Sequence, residues 1–504
     1  MLKTEIIVPL WLRILKASMS EMKSLAKDTA IYGLSSIIGK FLNYLLVPLY
    51  TYVLARTSDY GIVTNLYAWT ALLLVLLTYG METGFFRFAN REDYDAPSVY
   101  KTAYWTLFST SALFSVLVLI FRHPLANALG YADHAEFVAM MFVTVAVDAF
   151  ASIPFAYLRN QKRPILFAAL KLLFVLLNIG FNILFLVVLG KNDVFYVFLS
   201  NLLATTIQTL CLLPFTMPKG GHFDGVALKE MLQYSLPLLV LGVAGIMNQT
   251  LDRILFPYLY PYDDAEAQLG IYGACFKVAM VMMMFTQAFR YAYEPFVFSK
   301  HKDRHSAEAY ADAMKYYIIF SYLILLGVIF YLDIFRYIIS SAYWEGLKIV
   351  PVVLWTYVFQ GIYFNLSFWY KLTDETKWGA YFSLIGLIIT LVLQIVGVPR
   401  IGYWASCGSS LVCYFVIMVL SYVIGQKKAP IPYDLKCIGQ YTALTLGLLS
   451  VYYALRLYYI HNIWILMTIG TVLIVIYLFV LTRKDFPLQD VLRNRRNHGS
   501  GRKD

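Results

Sequence analysis

Long apolar stretches alternate with short polar segments along almost the whole chain. Fourteen of these stretches are long enough to cross a bilayer as helices, which takes about 20 residues each. The predicted spans are residues 29–54, 62–86, 103–121, 136–157, 164–189, 194–217, 232–258, 269–293, 314–332, 347–370, 380–398, 403–424, 438–457 and 463–481. The pattern therefore predicts an all-α polytopic membrane protein.

Part of this pattern occurs twice. The stretch YGLSSIIGKFLNYLLVPLYTYVL, followed by DYGIVTNLYAW, is echoed by YSLPLLVLGVAGIMNQTLDRILFPYLY and then LGIYGACFKVA. Repeated halves around a site at the membrane midplane are a common plan for transporters. The predicted organisation is an amphipathic leader at 1–28, six-helix bundles at 29–217 and 232–424, a linker at 218–231, two additional spans at 425–482 and a basic tail at 483–504.

The composition supports a membrane protein and gives it an orientation. Only 14% of the residues are charged and the mean hydropathy is +0.64, whereas a soluble protein carries about 25% charged residues. The net charge of +11 does not indicate nucleic acid, because the basic residues cluster in short loops between spans. With both termini placed in the cytoplasm, inside segments carry 28 Lys and Arg against 6 outside, as the positive-inside rule expects.

Three ionisable residues lie near the middle of predicted spans: Lys40, Asp148 and Lys277. A central charge costs a few kcal/mol or more unless it faces protein or water. Asn43 lies three residues after Lys40 and shares its helix face. Because Lys40 and Lys277 come from different halves, the sequence predicts a water-filled, basic cavity between the halves that accepts an anion.

Other polar residues in the spans have two interpretations. The additional substrate-binding candidates are Lys171, Asn178, Arg253 and Arg290, and the candidates for binding a coupling ion or balancing charge are Asp252 and Glu294. Near a membrane edge, charged side chains also snorkel to the interface, and Arg290 and Glu294 have the i,i+4 spacing of a simple pair. Asn stripes such as that of Asn178 also join membrane helices.

Enzyme chemistry is not indicated. The chain has neither a phosphate-binding glycine loop nor a nucleophile–base arrangement, so no catalytic residue and no cofactor is expected. His301 and His305 are spaced like a metal pair, but they lie in a basic loop, and no metal site is predicted.

The opening stretch, with its YG…S…KF…PLYT helix, the short DYG loop and YGMETGFFRF, resembles the polysaccharide-unit (O-antigen type) flippases. These belong to the multidrug/oligosaccharidyl-lipid/polysaccharide exporter (MOP) superfamily. LDRILF and FR…EP, further along the chain, are similar to the same family. The resemblance implies a V-shaped, two-bundle exporter that moves an undecaprenyl-diphosphate-linked oligosaccharide to the outer leaflet of a bacterial inner membrane. It also implies cavity cations at Lys40, Lys277, Arg253 and Arg290. Many relatives have a basic residue just after PLYT, where this chain has Tyr52.

Two alternatives stay open at this point, a lipid II flippase and a cation-coupled drug antiporter. The antiporter would require an acidic cavity, and the central charges here are mostly basic. Asp148, Asp252 and Glu294 are candidates either for binding a coupling H⁺ or Na⁺ or for neutralising nearby cations, and neutralisation is favoured for Asp252, which neighbours Arg253. The expected partners are the lipid-linked oligosaccharide, membrane lipids, and a polysaccharide polymerase or glycosyltransferases, with the chain itself a monomer.

Overall fold

A computed structural model describes residues 38–39, 41–42, 44–300, 306–373, 375–458 and 462–485. Several of the sequence predictions fall on residues outside these ranges. They concern the 1–28 leader, most of span 29–54 with Lys40 and Asn43, the His301–His305 pair, and the basic tail beyond residue 485.

Every regular element in the described ranges is a helix, which confirms the all-α prediction. The principal helices are α1 (Leu46–Val53), α2 (Thr57–Thr78), α3 (Met81–Ala89), α4 (Ala96–Ile120), α5 (Ala135–Asn160), α6 (Pro164–Asn182), α7 (Val194–Thr216), α8 (Gly225–Leu259), α9 (Ala265–Val278), α10 (Met280–Lys300), α11 (Ser306–Phe330), α12 (Val350–Leu366), α13 (Lys377–Ile401), α14 (Tyr403–Lys428), α15 (Leu435–Tyr458) and α16 (Ile463–Lys484).

Eleven helices of the described chain are long and apolar enough to cross a bilayer, or twelve if the bent pair α9–α10 is one span. The predicted span at 438–457 forms α15 but is not among the eleven, because it is less apolar. The count of fourteen therefore stays a prediction. Helix α8 begins at Gly225, before the predicted start of its span at residue 232.

The predicted span 62–86 falls within a single candidate membrane span, Thr57–Ala89, whose helix is interrupted near its end. Tyr79 and Gly80 have positive φ angles of 34° and 71°, and they separate α2 from α3. A side chain on Gly80 would bring its Cβ within 3.0 Å of the Ser235 carbonyl oxygen of α8. The break therefore allows α3 to pack closely against the start of α8.

The predicted span 269–293 is likewise divided. Helices α9 and α10 meet at Ala279 with a bend of 48°. Neither proline nor glycine stands at this position. The bend places the last turn of α9, with Lys277, in the interior of the protein.

The two halves of the chain make their most extensive contact between α2 and α9. This contact depends on three glycines, since a Cβ on Gly61 would collide with the Glu266 backbone and one on Gly270 with the Thr57 backbone. A Cβ on Gly273 would strike the side chain of Thr64. We call the packing of Gly61, Gly270 and Gly273 between α2 and α9 the glycine contact.

The linker between the halves lies at the other end of these helices. Its residues 217–224 dock on the start of α4, where the backbone N–H of His222 donates to Ser98 Oγ over 3.0 Å. The N–H of Asp224 donates to Thr102 Oγ1 over 2.8 Å. We call this end of the molecule the linker face. The glycine contact is near the opposite face, where α2 and α9 begin.

The last two helices, α15 and α16, pack on α11 and are held at both ends. At one end, Arg456 of α15 contacts both carboxylate oxygens of buried Asp333, at 3.0 and 3.1 Å. At the other end, Lys315 Nζ of α11 lies 3.4 Å from Oδ1 of Asp485, and the Tyr441 hydroxyl donates to the same carboxylate over 2.7 Å. The two added helices are thus fixed to the bundle.

Candidate functional site

A cavity of about 250 Å³ lies mainly among helices of the second half and meets the first half at a single residue of α2. Helices α8, α9, α10, α12 and α14 form most of its wall, and α2 contributes Ala71. The lining residues are Ala71, Ile246, Asn248, Gln249, Thr250, Arg253, Phe276, Lys277, Met280, Met283, Thr356, Tyr357, Gln360, Ser410 and Tyr414. Two of the predicted cavity cations, Arg253 and Lys277, are therefore brought together.

Lys277 reaches this cavity because α9 ends at Val278, just before the bend. Its side chain is partly buried, and no carboxylate within the described ranges lies within ion-pair distance of it. Lys277 lies in the last turn of α9, and the carboxyl end of a helix favours a positive charge. Lys277 therefore lines the cavity as a cation that has no acidic partner among the described residues.

Arg253 lines the same cavity but has several protein partners. Its Nε atom lies 3.5 Å from Oδ1 of Asp252, and Nη2 donates to the Gln249 carbonyl over 2.9 Å. The guanidinium carbon lies 4.4 Å from the centre of the Phe276 ring, a cation–π distance. The charge of Arg253 is thus partly compensated.

Asp252 is buried, with 3% of its surface exposed, and accepts a hydrogen bond from the Tyr272 hydroxyl. Neither Asp252 nor Arg253 therefore snorkels out to solvent. The position of Asp252 agrees with the charge-balancing interpretation, whereas a coupling-ion role for it stays a prediction.

Amide and hydroxyl groups provide the rest of the polar wall. Gln360 Nε2 donates to the Tyr414 hydroxyl over 3.0 Å, and Asn248 Nδ2 donates to the Ser383 carbonyl over 2.9 Å. The Oδ1 atom of Asn248 is buried and has no hydrogen-bond partner in the described part of the chain. Sequence reasoning missed Gln360, Tyr414, Thr356 and Ser410, although Gln360 is an amide within an apolar span and so could have been singled out.

Lys171 and Asp148 lie together in the first half but do not line this cavity. Their charges interact, and Lys171 Nζ lies 3.9 Å from the centre of the Phe155 ring. Asn178 is 3% exposed, and both its backbone carbonyl and its Oδ1 accept from Asn182, at 2.8 and 3.1 Å. The contacts of Lys171 and Asn178 with substrate stay predictions, and so does the coupling or charge-balancing role of Asp148.

Arg290 and Glu294 are also away from the cavity, further along α10 towards the linker face. Arg290 Nε lies 3.9 Å from Glu294 Oε2, the i,i+4 pair that their spacing allows. The Arg290 guanidinium lies 4.4 Å from the centre of the Phe364 ring, and Lys371 Nζ lies 4.9 Å from the same centre. These residues form a separate, half-exposed charged cluster.

Solved structures with the same fold are transporters. The lipid II flippase MurJ, in an inward closed conformation, is 14% identical with a TM-score of 0.71, covering 90% of this chain and 98% of that one. An inward-facing multidrug resistance MATE family transporter of the MOP superfamily is 11% identical with a TM-score of 0.62, covering 82% and 96%. A MOP superfamily transporter from Pyrococcus furiosus, described by a reverse polarity of its binding pocket, is 14% identical with a TM-score of 0.55, covering 80% and 95%.

The chain shares its fold with these transporters of the MOP superfamily. The chain belongs to the polysaccharide biosynthesis protein family, whose sequence profile matches residues 25–300. The MatE profile matches residues 260–396. No individual curated protein matches the chain.

Proposed function

We propose that this protein is an alternating-access flippase that moves a polyprenyl-diphosphate-linked oligosaccharide from the inner to the outer leaflet of the bacterial inner membrane, for surface polysaccharide synthesis. The observation that carries the proposal is the central cavity in which Lys277 has no acidic partner within the described chain and Arg253 lies on the same wall. It is a transport protein and not an enzyme.

The chemistry of the cavity suits this substrate. An anionic diphosphate with hydroxyl-rich sugars cannot cross about 30 Å of hydrocarbon unaided. Lys277 and Arg253 supply charge for the diphosphate, and Gln249, Gln360 and Tyr357 supply hydrogen-bond donors and acceptors for sugar hydroxyls. The polyprenyl tail stays in the bilayer while the headgroup crosses.

The proposed orientation places the linker face and both termini in the cytoplasm, because basic residues are concentrated in the segments at that side. The glycine contact then closes the periplasmic side in this conformation. The cavity of about 250 Å³ is small for an oligosaccharide, so the halves separate on one side to admit the substrate and on the other to release it.

A lipid II flippase is the second candidate, and the fold similarity to MurJ favours it. Both substrates are lipid diphosphates, and the cavity cations suit either. A drug antiporter is less well supported, because cationic drugs require an acidic cavity and Lys277 and Arg253 make this one basic.

Coupling to H⁺ or Na⁺ is proposed for Asp148, which lies beside Lys171 in the first half. A protonated or ion-bound carboxylate would change the charge of that pair during the cycle. The chain is proposed to act as a monomer among membrane lipids and to work beside a polymerase or glycosyltransferases that make and consume its substrate.

Depletion of the protein in its native cell tests the proposal. Survival of the cells, loss of one surface glycan and accumulation of its lipid-linked unit on the cytoplasmic side are expected. Loss of viability with accumulation of lipid II would instead establish the second candidate. Unchanged glycans together with increased drug sensitivity would establish the antiporter.

A further inference from the structure

The backbone carbonyl of Arg253 lacks its regular helical donor. In an α-helix this oxygen accepts from the N–H four residues later, and that residue is Pro257, which has no N–H. Helix α8 continues to Leu259, so the carbonyl lies within the helix and not beyond its end.

Asn65, from the other half of the protein, supplies the missing donor. Its Nδ2 atom donates to the Arg253 carbonyl oxygen over 2.7 Å. Its Oδ1 atom accepts from the Tyr131 hydroxyl over 3.0 Å, which fixes the orientation of the amide. Asn65 is 1% exposed, so water does not compete for either bond in this conformation.

Asn65 stands beside the glycine contact. It lies four residues after Gly61 on α2, so the two share a helix face, and α2 packs along both α8 and α9. When α2 moves away from α8 and α9 at the face opposite the linker face, the hydrogen bond from Asn65 to the Arg253 carbonyl must break. The Arg253 carbonyl is then left without a donor, which is tolerated in a membrane only where water or another polar group replaces it.

We propose that Asn65 is a latch that holds the opposite face closed by capping the carbonyl that Pro257 leaves free. The proposal rests on the alternating access proposed above. Because the side chain of Arg253 lines the cavity while its carbonyl is latched to the other half, the latch ties the position of a substrate-site cation to closure. Asn65 is a positioning residue and does not itself contact the substrate.

Cavity accessibility tests the latch without requiring a substrate. The full chain carrying Thr356→Cys, a replacement on the cavity wall, is labelled with a membrane-impermeant maleimide added to one side of the membrane at a time. The chain with its native cysteines alone gives the background. Adding Asn65→Ala should increase labelling from the opposite face by roughly threefold to tenfold, the range expected for one interhelical hydrogen bond in a membrane.

The decisive measurement is a second substitution that restores the missing donor. Pro257→Ala returns an N–H to α8, so the Arg253 carbonyl no longer depends on Asn65. Labelling of the Asn65→Ala/Pro257→Ala chain should fall back towards the parent. No increase with Asn65→Ala, or an increase that Pro257→Ala does not reduce, would overturn the latch.

Two matched controls separate the latch from general loosening. Thr78→Val removes a hydroxyl of α2 that bonds only to carbonyls of its own helix and should leave labelling unchanged. Pro399→Ala replaces a proline that also lies two residues before the end of its helix, α13, and should not suppress Asn65→Ala. Suppression by Pro399→Ala would assign the effect to helix stability and reject the latch.

The latch and the proposed substrate can fail separately. If labelling changes as expected while depletion leaves every surface glycan intact, the latch stands and the substrate assignment is wrong. If depletion removes a glycan but Asn65→Ala leaves labelling unchanged, the flippase stands and the latch is wrong.

Discussion

Arg253 Nε lies 3.5 Å from Asp252 Oδ1, and the Tyr272 hydroxyl holds the same carboxylate from α9. The neighbouring cavity cation, Lys277, has no such carboxylate within the described part of the chain. The two cations therefore differ: Arg253 is partly compensated by Asp252, whereas Lys277 has no acidic partner among the described residues.

Lys277→Ala should abolish glycan export. Losing one member of a desolvated charge pair costs about 2–5 kcal/mol in binding, which corresponds to a loss of at least about thirtyfold in affinity. Lys277→Arg keeps the charge and should retain substantial export. Surface glycan is measured with protein level and membrane insertion as controls, and wild-type output from Lys277→Ala would remove this residue from the site.

Asp252→Asn should make stability depend on an anion in the cavity. The change leaves the largely buried Arg253 without its counter-charge, which is destabilising. Inorganic pyrophosphate, used as the probe, should raise the melting temperature of the variant more than that of the parent. Tyr272→Phe removes only the hydrogen bond to Asp252 and should have a smaller effect. An equal response of variant and parent to pyrophosphate would contradict the charge-balancing role.

Gly270→Ala should prevent full closure of the glycine contact. Its Cβ would collide with the Thr57 backbone, and overpacking of this kind costs about 1–3 kcal/mol. Gly327→Ala is the matched control, because no atom lies within 4 Å of the Cβ it would add in α11. Thermal unfolding and export should both fall for Gly270→Ala and not for Gly327→Ala. A Gly270→Ala protein as stable as the parent would show that the glycine contact accommodates the added methyl group without loss of stability, and would contradict the prediction.

Arg456→Ala should loosen the last two helices. Among the described residues, it leaves the buried carboxylate of Asp333 with Arg336 as its remaining basic partner, whose Nη1 atom lies 3.6 Å away. Since Arg456 is about one-third exposed, we expect a loss of about 1–3 kcal/mol, below the range for a fully buried pair. Arg336→Ala removes the longer of the two contacts and should cost less. Thermal unfolding of the two purified variants gives the comparison, and equal stabilities would contradict the ranking.

The sequence by itself determined the features that depend on local order. Apolar length and helical period predicted the helices, and a charge placed where lipid would penalise it identified Lys277 as a cavity residue. Arg253 was identified as a cavity residue by the family resemblance. The i,i+4 spacing allowed the Arg290–Glu294 pair that the structure contains. Each of these properties is a consequence of spacing within one helix.

Only the tertiary structure decided which charges are free and which are paired. Asn65 and Arg253 are 188 residues apart along the chain, and Gln360 and Tyr414 are 54 apart. Helical spacing within a span says nothing about which side chain of another span will face it. Helical spacing also does not predict the bend between α9 and α10 that turns Lys277 inward, because the sequence has no proline or glycine at that position. The depth of a charge in the membrane follows from its position along its own span. Its partner, in contrast, is decided by which neighbouring helix packs against that span.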